Sequence, residues 1–396
     1  LIIRSYLNLN RVDDAQRAMR RYRQDYGELA GADGIEWKLL QAQLLLRSGG
    51  AEEAVRLLQD IDTAEARALL LLAGLQAKQL SLQTVQQQLQ ALLDDAELDA
   101  GQQSVYWYAR LQLAVAGGDV QARVTALEKL FALGRTDYLF TVFTDAEKYL
   151  SIDHLWDAYE QYGIQLANDF RLLRGDDVAW YSKASNLFEQ QPQQARALLA
   201  VLAFSARQQE HRSLAMQHIT SLLEQHEQGL ELVNQLFMHS QRIRDMSLVP
   251  ADVRYRLVDY ALQKADLQSA ARLMEQLPRP PEGQDLFEWS LRRARILILG
   301  GEYQDGAEIL LASLDTEAQP EPKQIDQYMQ VVFDLQNVQQ HRYALSAFQK
   351  LEQKTLTPKL RREIAYWKAE SYQQLKDYEQ AAFLFLKSAI PLDNKI

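Results

Sequence analysis

Apolar residues recur along the chain at helical spacing, in pairs of short amphipathic segments separated by polar turns. The pattern is plainest in Arg362–Asp393. Ala369 and Tyr372 lie three residues apart on one side of a first helix, a turn is expected at Lys376–Asp377, and Ala381, Phe385 and Ser388 share the inner face of a second. A small residue where two helices cross lets the backbones approach to the short end of the usual range of about 8–10 Å, and an aromatic one turn on fills the space beside it. With the small residue of the second helix as marker, similar units recur at Ala15, Ala54, Ala270, Gly306, Ala344 and Ala381. The last four are 36, 38 and 37 residues apart and the first two 39. Four positions after each marker comes Met19, Leu58, Met274, Leu310, Phe348 or Phe385. Twelve before it comes Ile3, Ala42, Val258, Ala294, Val332 or Ala369, and nine before it Tyr6, Leu45, Ala261, Leu297, Leu335 or Tyr372. A hairpin of this kind cannot bury its apolar faces alone, so the units are expected to stack.

Small-x-x-aromatic, a turn, then Ala-x-x-x-Phe is the pattern of the tetratricopeptide repeat, and the chain resembles that family. The family period is about 34, so the units here have longer connections; the family's early Trp and often its paired Gly are missing. The resemblance implies an all-α fold, an α-solenoid of stacked antiparallel helix pairs wound as a right-handed superhelix, with about nine or ten pairs in this length. It also implies that the first helices line a concave groove through their second, fifth, ninth and twelfth positions. Those are Glu36, Leu39, Gln43 and Leu46 in the early unit, and Asp252, Tyr255, Asp259 and Leu262 after the midpoint. Glu288, Leu291, Arg295 and Ile298 follow, then Asp326, Met329, Phe333 and Gln336, then Glu363, Tyr366, Glu370 and Gln373. The candidate partner-binding residues are Glu288, Leu291, Arg292, Arg295, Met329, Phe333, Tyr366, Glu370 and Gln373. Such a wall suits a protein or peptide segment. Arg292 and Arg295 are placed to clamp a carboxylate, although the recurring Lys, Asn and Arg set of the family's peptide-carboxylate clamps is not found.

The chain is expected to divide into regular repeats at 1–134, divergent aromatic-rich helices at 135–250 and regular repeats at 251–396, as one continuous solenoid cut from a longer protein. Turns are expected at Asn10–Arg11, Gly49–Gly50, near Ser81, at Gly117–Gly118–Asp119 and at Gln191–Pro192, with a polar linker at Tyr26–Gly34. Between Arg135 and Phe188 the frame fades and eleven aromatics crowd in. They read as a thicker core or as a pocket for an apolar peptide anchor. Val249–Pro250 is a candidate hinge, because Pro ends a helix and restricts the residue before it. Leu277–Asp285 and Asp315–Gln324 read as Pro-rich surface connectors.

Composition sharpens this. Leu, Ala, Gln, Glu and Arg dominate, about one residue in nine is Gln, and Pro (9) and Gly (17) are scarce. Net charge is −10 and the isoelectric point near 5.3, which disfavours nucleic acid and broad attachment to anionic lipid. The absence of cysteine excludes disulfides, thiolate metal sites and cysteine nucleophiles. No run of apolar residues is long enough to span a membrane. The Gly-Gly pairs at Gly49, Gly117 and Gly300 sit between helices rather than between strand and helix, and read as turns. His154, His211, His218, His226, His239 and His341 lack the spacing of a helical metal site. The doublets Asp13–Asp14, Asp94–Asp95 and Asp176–Asp177 read as helix starts or solvated faces. No nucleophile elbow or metalloprotease motif occurs, and no cofactor is expected.

The expectation is a non-enzymatic scaffold or adaptor holding a partner in its groove, with a bacterial envelope assembly, secretion or export system as setting and the periplasm as compartment. A cytoplasmic location is the alternative, and so is a regulatory or substrate-recognition arm of a larger enzyme or transport protein.

Overall fold

A computed structural model describes residues 2–27, 31–226, 228–315 and 319–389. Among them every regular element is helical and none is a strand. Contacts divide the chain into two compact units, Leu1–Arg244 and Asp245–Ile396.

The first unit opens with α1 (Ile2–Asn8) and α2 (Val12–Tyr26), then α3 (Gly31–Ser48) and α4 (Ala51–Leu58), α5 (Ala64–Gln76) and α6 (Leu82–Leu93), and α7 (Ala100–Gly117) and α8 (Val120–Leu133). Two short helices follow, α9 (Thr136–Val142) and α10 (Ala146–Tyr149), then α11 (Ile152–Asp169) and α12 (Asp177–Ser185). The unit closes with α13 (Pro192–Ser205), α14 (Gln209–Glu224) and α15 (Gly229–Met238). The linker expected at Tyr26–Gly34 is shorter than its composition implies, since α3 already begins at Gly31; residues 28–30 lie outside the described ones. Of the eleven aromatics at 138–188 five are core, namely Phe143, Trp156, Tyr159, Tyr162 and Trp180; Trp156 and Tyr159 are fully buried, and Trp156 meets Phe204 and Phe237 edge-on at 5.0 and 6.1 Å.

The second unit is four hairpins. They are α16 (Ala251–Gln263) with α17 (Leu267–Glu275), α18 (Leu286–Gly300) with α19 (Tyr303–Ser313), α20 (Pro322–Asn337) with α21 (His341–Glu352), and α22 (Pro358–Gln374) with α23 (Tyr378–Ala389). Several boundaries have a local cause. Asp266, Asp285 and Thr357 cap their helices through side-chain oxygens, and Pro322 and Pro358 occupy first turns where a missing N–H costs nothing. Gly301 closes α18 at φ 102°, as Gly49 and Gly118 close α3 and α7 at 84° and 68°. Pro250 sits immediately before α16, five residues past the unit boundary.

All six markers are buried at or below 3% exposure or, for Gly306, within a helix crossing. A Cβ on Gly306 would lie 2.7 Å from Ile298 Cγ1 and 2.9 Å from the Ala294 carbonyl oxygen, so only glycine lets α19 sit this close to α18. The residues four positions on, and those twelve before, are buried as well, Phe385 alone being partly covered. In the second unit Ala294, Leu310, Val332 and Phe348 from these positions join Leu335 in one core across α18 to α21, each at 0% exposure. Full burial of such side chains contributes about 1.5–3 kcal/mol apiece. On α23 the pattern ends: Tyr378, Phe383 and Leu386 are 65%, 62% and 66% exposed.

Asp94 and Asp95 take the solvated alternative, exposed after α6: Asp94 closes α6, and Asp95 accepts from the Glu97 N–H in the loop. The connector expected to run to Gln324 ends at Glu321, because Pro322 starts α20. Leu277, in the other connector, is buried at 2%.

Candidate interaction wall

In the first unit the chain itself covers part of the face of α3, α5 and α7. Gln43 on α3, a mapped groove position, is only 6% exposed. Its amide nitrogen donates to the Val142 carbonyl at 2.9 Å, and its oxygen accepts from the Thr144 N–H at 2.9 Å. Arg47, one turn on, donates to Thr144 Oγ1 at 2.8 Å. On α5, Glu65 accepts from the Tyr138 hydroxyl. On α7, Tyr108 and Gln112 donate to the two carboxylate oxygens of Asp145 at 2.7 and 3.0 Å. Between these polar grips Phe143, 2% exposed, lies 4.6 Å from the Tyr108 ring. Tyr138–Asp145 therefore lies across α3, α5 and α7 as a short segment with one aromatic anchor, one gripped carboxylate and its backbone read by a glutamine. Burial and the Asp145 charge both push the Tyr108 hydroxyl pKa up, so it remains a donor throughout the physiological range.

In the second unit the corresponding helices are α16, α18, α20 and α22. Arg292 on α18 pairs with Asp259 on α16, and Tyr255 meets Trp289 edge-on at 5.2 Å. Between α18 and α20, Arg295 reaches Asp334 at 2.9 Å and Lys323 reaches Glu288 at 3.3 Å. Between α20 and α22, Gln336 donates to the Trp367 carbonyl at 2.9 Å and to Ser371 Oγ at 2.7 Å, while Phe333 and Trp367 lie 4.9 Å apart. The aromatic row continues from Trp367 to Tyr366 at 5.2 Å and on to Phe385 at 5.6 Å.

The nine sequence-derived positions thus fall on adjacent helices but do different things. Leu291 and Met329, 5% and 4% exposed, belong to the core behind the wall. Arg292 and Arg295 are engaged by neighbouring carboxylates, which takes away the cations that a carboxylate clamp needs. Glu288, Phe333, Tyr366, Glu370 and Gln373 keep accessible surface, Tyr366 at 42%. Its hydroxyl hydrogen-bonds to Glu370, which raises its pKa.

Two features had no sequence signal. One is the covering segment at Tyr138–Asp145, visible only as a place where the repeat frame fades. The other is a buried charge cluster: Glu128 on α8 accepts from Arg196 on α13 at 3.0 and 2.7 Å and from the Tyr159 hydroxyl on α11. Arg196 is 3% exposed; burial opposes its charge, but Tyr159 and Glu128 outweigh that and hold its pKa above the usual guanidinium value. No helix among the described residues is long and apolar enough to cross a membrane.

No protein-family model matches the chain, and no curated protein sequence matches it. Solved structures that match include the crystal structure of the APC/C hetero-tetramer Cut9–Hcn1, at 12% identity and a TM-score of 0.25, over 98% of this chain and 85% of that one. The chain's own geometry, with helices paired in series and small residues buried at all six marker positions, is that of an all-α repeat of helical hairpins.

Proposed function

We propose that this protein is a non-enzymatic interaction scaffold whose second unit holds a segment of a partner protein on the wall formed by α16, α18, α20 and α22. One observation carries the reading: in the first unit the same kind of wall takes up the chain's own Tyr138–Asp145 segment, while in the second unit Phe333, Tyr366 and Trp367 keep accessible surface. Partly exposed aromatics backed by a rigid core are favourable anchors, because they bring large contact area at little conformational cost. The setting proposed is a bacterial envelope assembly, secretion or export system, with the periplasm as compartment. Support for it is compositional, from a cysteine-free, Gln-rich chain.

A photo-crosslinking residue placed at Tyr366 or Gln373, compared with Ser346 or Glu379 on second helices, tests the wall. Discrete protein adducts are expected from the first pair only; equal adducts from all four sites, or none from the wall, would remove the reading. The same cysteine-free chain makes the compartment measurable. A single cysteine introduced at Gln373 is expected to react with a membrane-impermeant maleimide in cells whose outer membrane alone is permeabilised, and protection there would place it in the cytoplasm.

A further inference from the structure

We infer that the wall of α3, α5 and α7 reads a partner segment carrying an aromatic residue, then serine or threonine, then a carboxylate, and that Tyr138–Asp145 is a tethered stand-in which such a segment displaces. This is a site apart from the wall of the second unit. Residues 134–151 stand outside the stack of helices: α8 packs directly on α11, so the chain leaves the stack after α8, crosses the wall and returns. What it meets there is polar. Gln43 and Arg47 on α3, Glu65 on α5, and Tyr108 and Gln112 on α7 each find a partner in the segment. Seams between helices elsewhere in this unit are built from Leu, Ala and Val. Here hydrogen bonds aimed at particular groups fix orientation and discriminate between ligands.

Three grips act in register. Gln43 spans the backbone, donating to the Val142 carbonyl and accepting from the Thr144 N–H, groups that nearly any residue offers. The Thr144 hydroxyl accepts from Arg47 at 2.8 Å and donates to Gln43 at 3.0 Å, a double role that serine or threonine fills. Tyr108 and Gln112 donate to separate oxygens of Asp145, a pairing suited to a carboxylate. Phe143 lays its ring on Tyr108 beside them. Along α9 the fit is loose. A cleft of about 350 Å³ remains between α9 and α3, and one of about 560 Å³ opens between Tyr138 and the first turns of α5 and α7. Buried apolar residues in 134–151 are few, namely Leu139, Phe143, Ala146 and Leu150. A segment held at a few polar points beside open space opens ahead of the helices beneath it. Tethered at both ends, it competes at an effective concentration on the order of millimolar, so a partner of the same chemistry binds weakly until the stand-in is loosened.

The test uses the full chain and a labelled peptide with the sequence of Tyr138–Tyr149, read by fluorescence anisotropy. The variant Phe143→Ala/Asp145→Ala, which frees the wall, is expected to bind this peptide at least about tenfold more tightly than the unaltered chain. Adding Tyr108→Phe/Gln112→Leu removes both carboxylate donors and is expected to abolish that gain, as is the change Asp145→Ala in the peptide. A loosened variant that binds no more tightly overturns the inference. So does a gain that survives Tyr108→Phe/Gln112→Leu, because the peptide is then held elsewhere. Hydrogen exchange on the unaltered chain needs no loosened variant. Residues 138–145 are expected to exchange at least about tenfold faster than α3 and α7, and faster again with unlabelled peptide in excess while both helices stay protected. Exchange of the segment in step with α7 means that it is core, and overturns the inference even where the loosened variant fails to fold.

Discussion

Among single residues, His218 and His341 show how burial sets a charge state. His218 takes a hydrogen bond of 2.6 Å with the Tyr181 hydroxyl and lies 5.1 Å from the Phe188 ring, and His341 is 7% exposed at the start of α21. Burial lowers the pKa of both. Above an unfolded pKa of about 6.5 both states are neutral and the histidines add no pH dependence. As pH falls below that value the unfolded chain takes up protons that the folded chain resists, so stability drops until the depressed folded values are passed. Thermal melts between about pH 7 and pH 5 should show this loss, and His218→Gln, which keeps an acceptor for Tyr181, should flatten it. A slope unchanged in that variant would count against the assignment. The sequence showed only that these histidines lack metal-site spacing. That His218 faces the Tyr181 hydroxyl and the Phe188 ring, 37 and 30 residues away, is a matter of tertiary packing, which local pattern does not carry.

For helices, legibility followed the strength of the period. The four hairpins after Ala251 were readable because each carries small, apolar and acidic positions in one frame, and all of them land where the frame puts them. The wall was readable only in outline. An apolar fifth position serves equally as a lining residue or as a seam to the next helix, and Leu291 and Met329 proved to be seam. The region 135–150 was unreadable for a different reason: α9 and α10 are too short to show a period, and they are held by hydrogen bonds to distant helices. Gly306 offers the sharpest test of the crossing geometry. Ala there gains about 1 kcal/mol in helix propensity but meets a backbone oxygen that cannot yield. For Gly306→Val the overlap dominates, and a net loss of about 2–3 kcal/mol is expected from urea unfolding. A stabilised variant would mean the crossing is looser than described.

At the scale of the whole molecule, each hairpin of the second unit leans on its neighbours, so local stability should follow coverage. The three second helices before α23 bury Ala271, Ala307 and Leu345, on α17, α19 and α21 in turn, whereas α23 leaves Tyr378, Phe383 and Leu386 exposed. Hydrogen exchange should therefore report the fastest opening of that unit in α23 and the slowest in α18 to α21, where the core is continuous. Uniform protection across the four hairpins would show instead that the unit opens as one body.

The cluster of Glu128, Arg196 and Tyr159 reaches beyond this one molecule. Removing Glu128 alone strands the Arg196 guanidinium, 3% exposed, for a loss of about 3–5 kcal/mol, and removing Arg196 leaves a largely covered carboxylate, whereas exchanging both for apolar residues of similar volume is close to neutral. Single substitutions thus lead downhill from here in either direction. Sequences descended from the same ancestor are expected to hold glutamate and arginine at these two sites together or to have lost them together, and a collection in which the two vary independently would mean that the fold tolerates a lone buried ion.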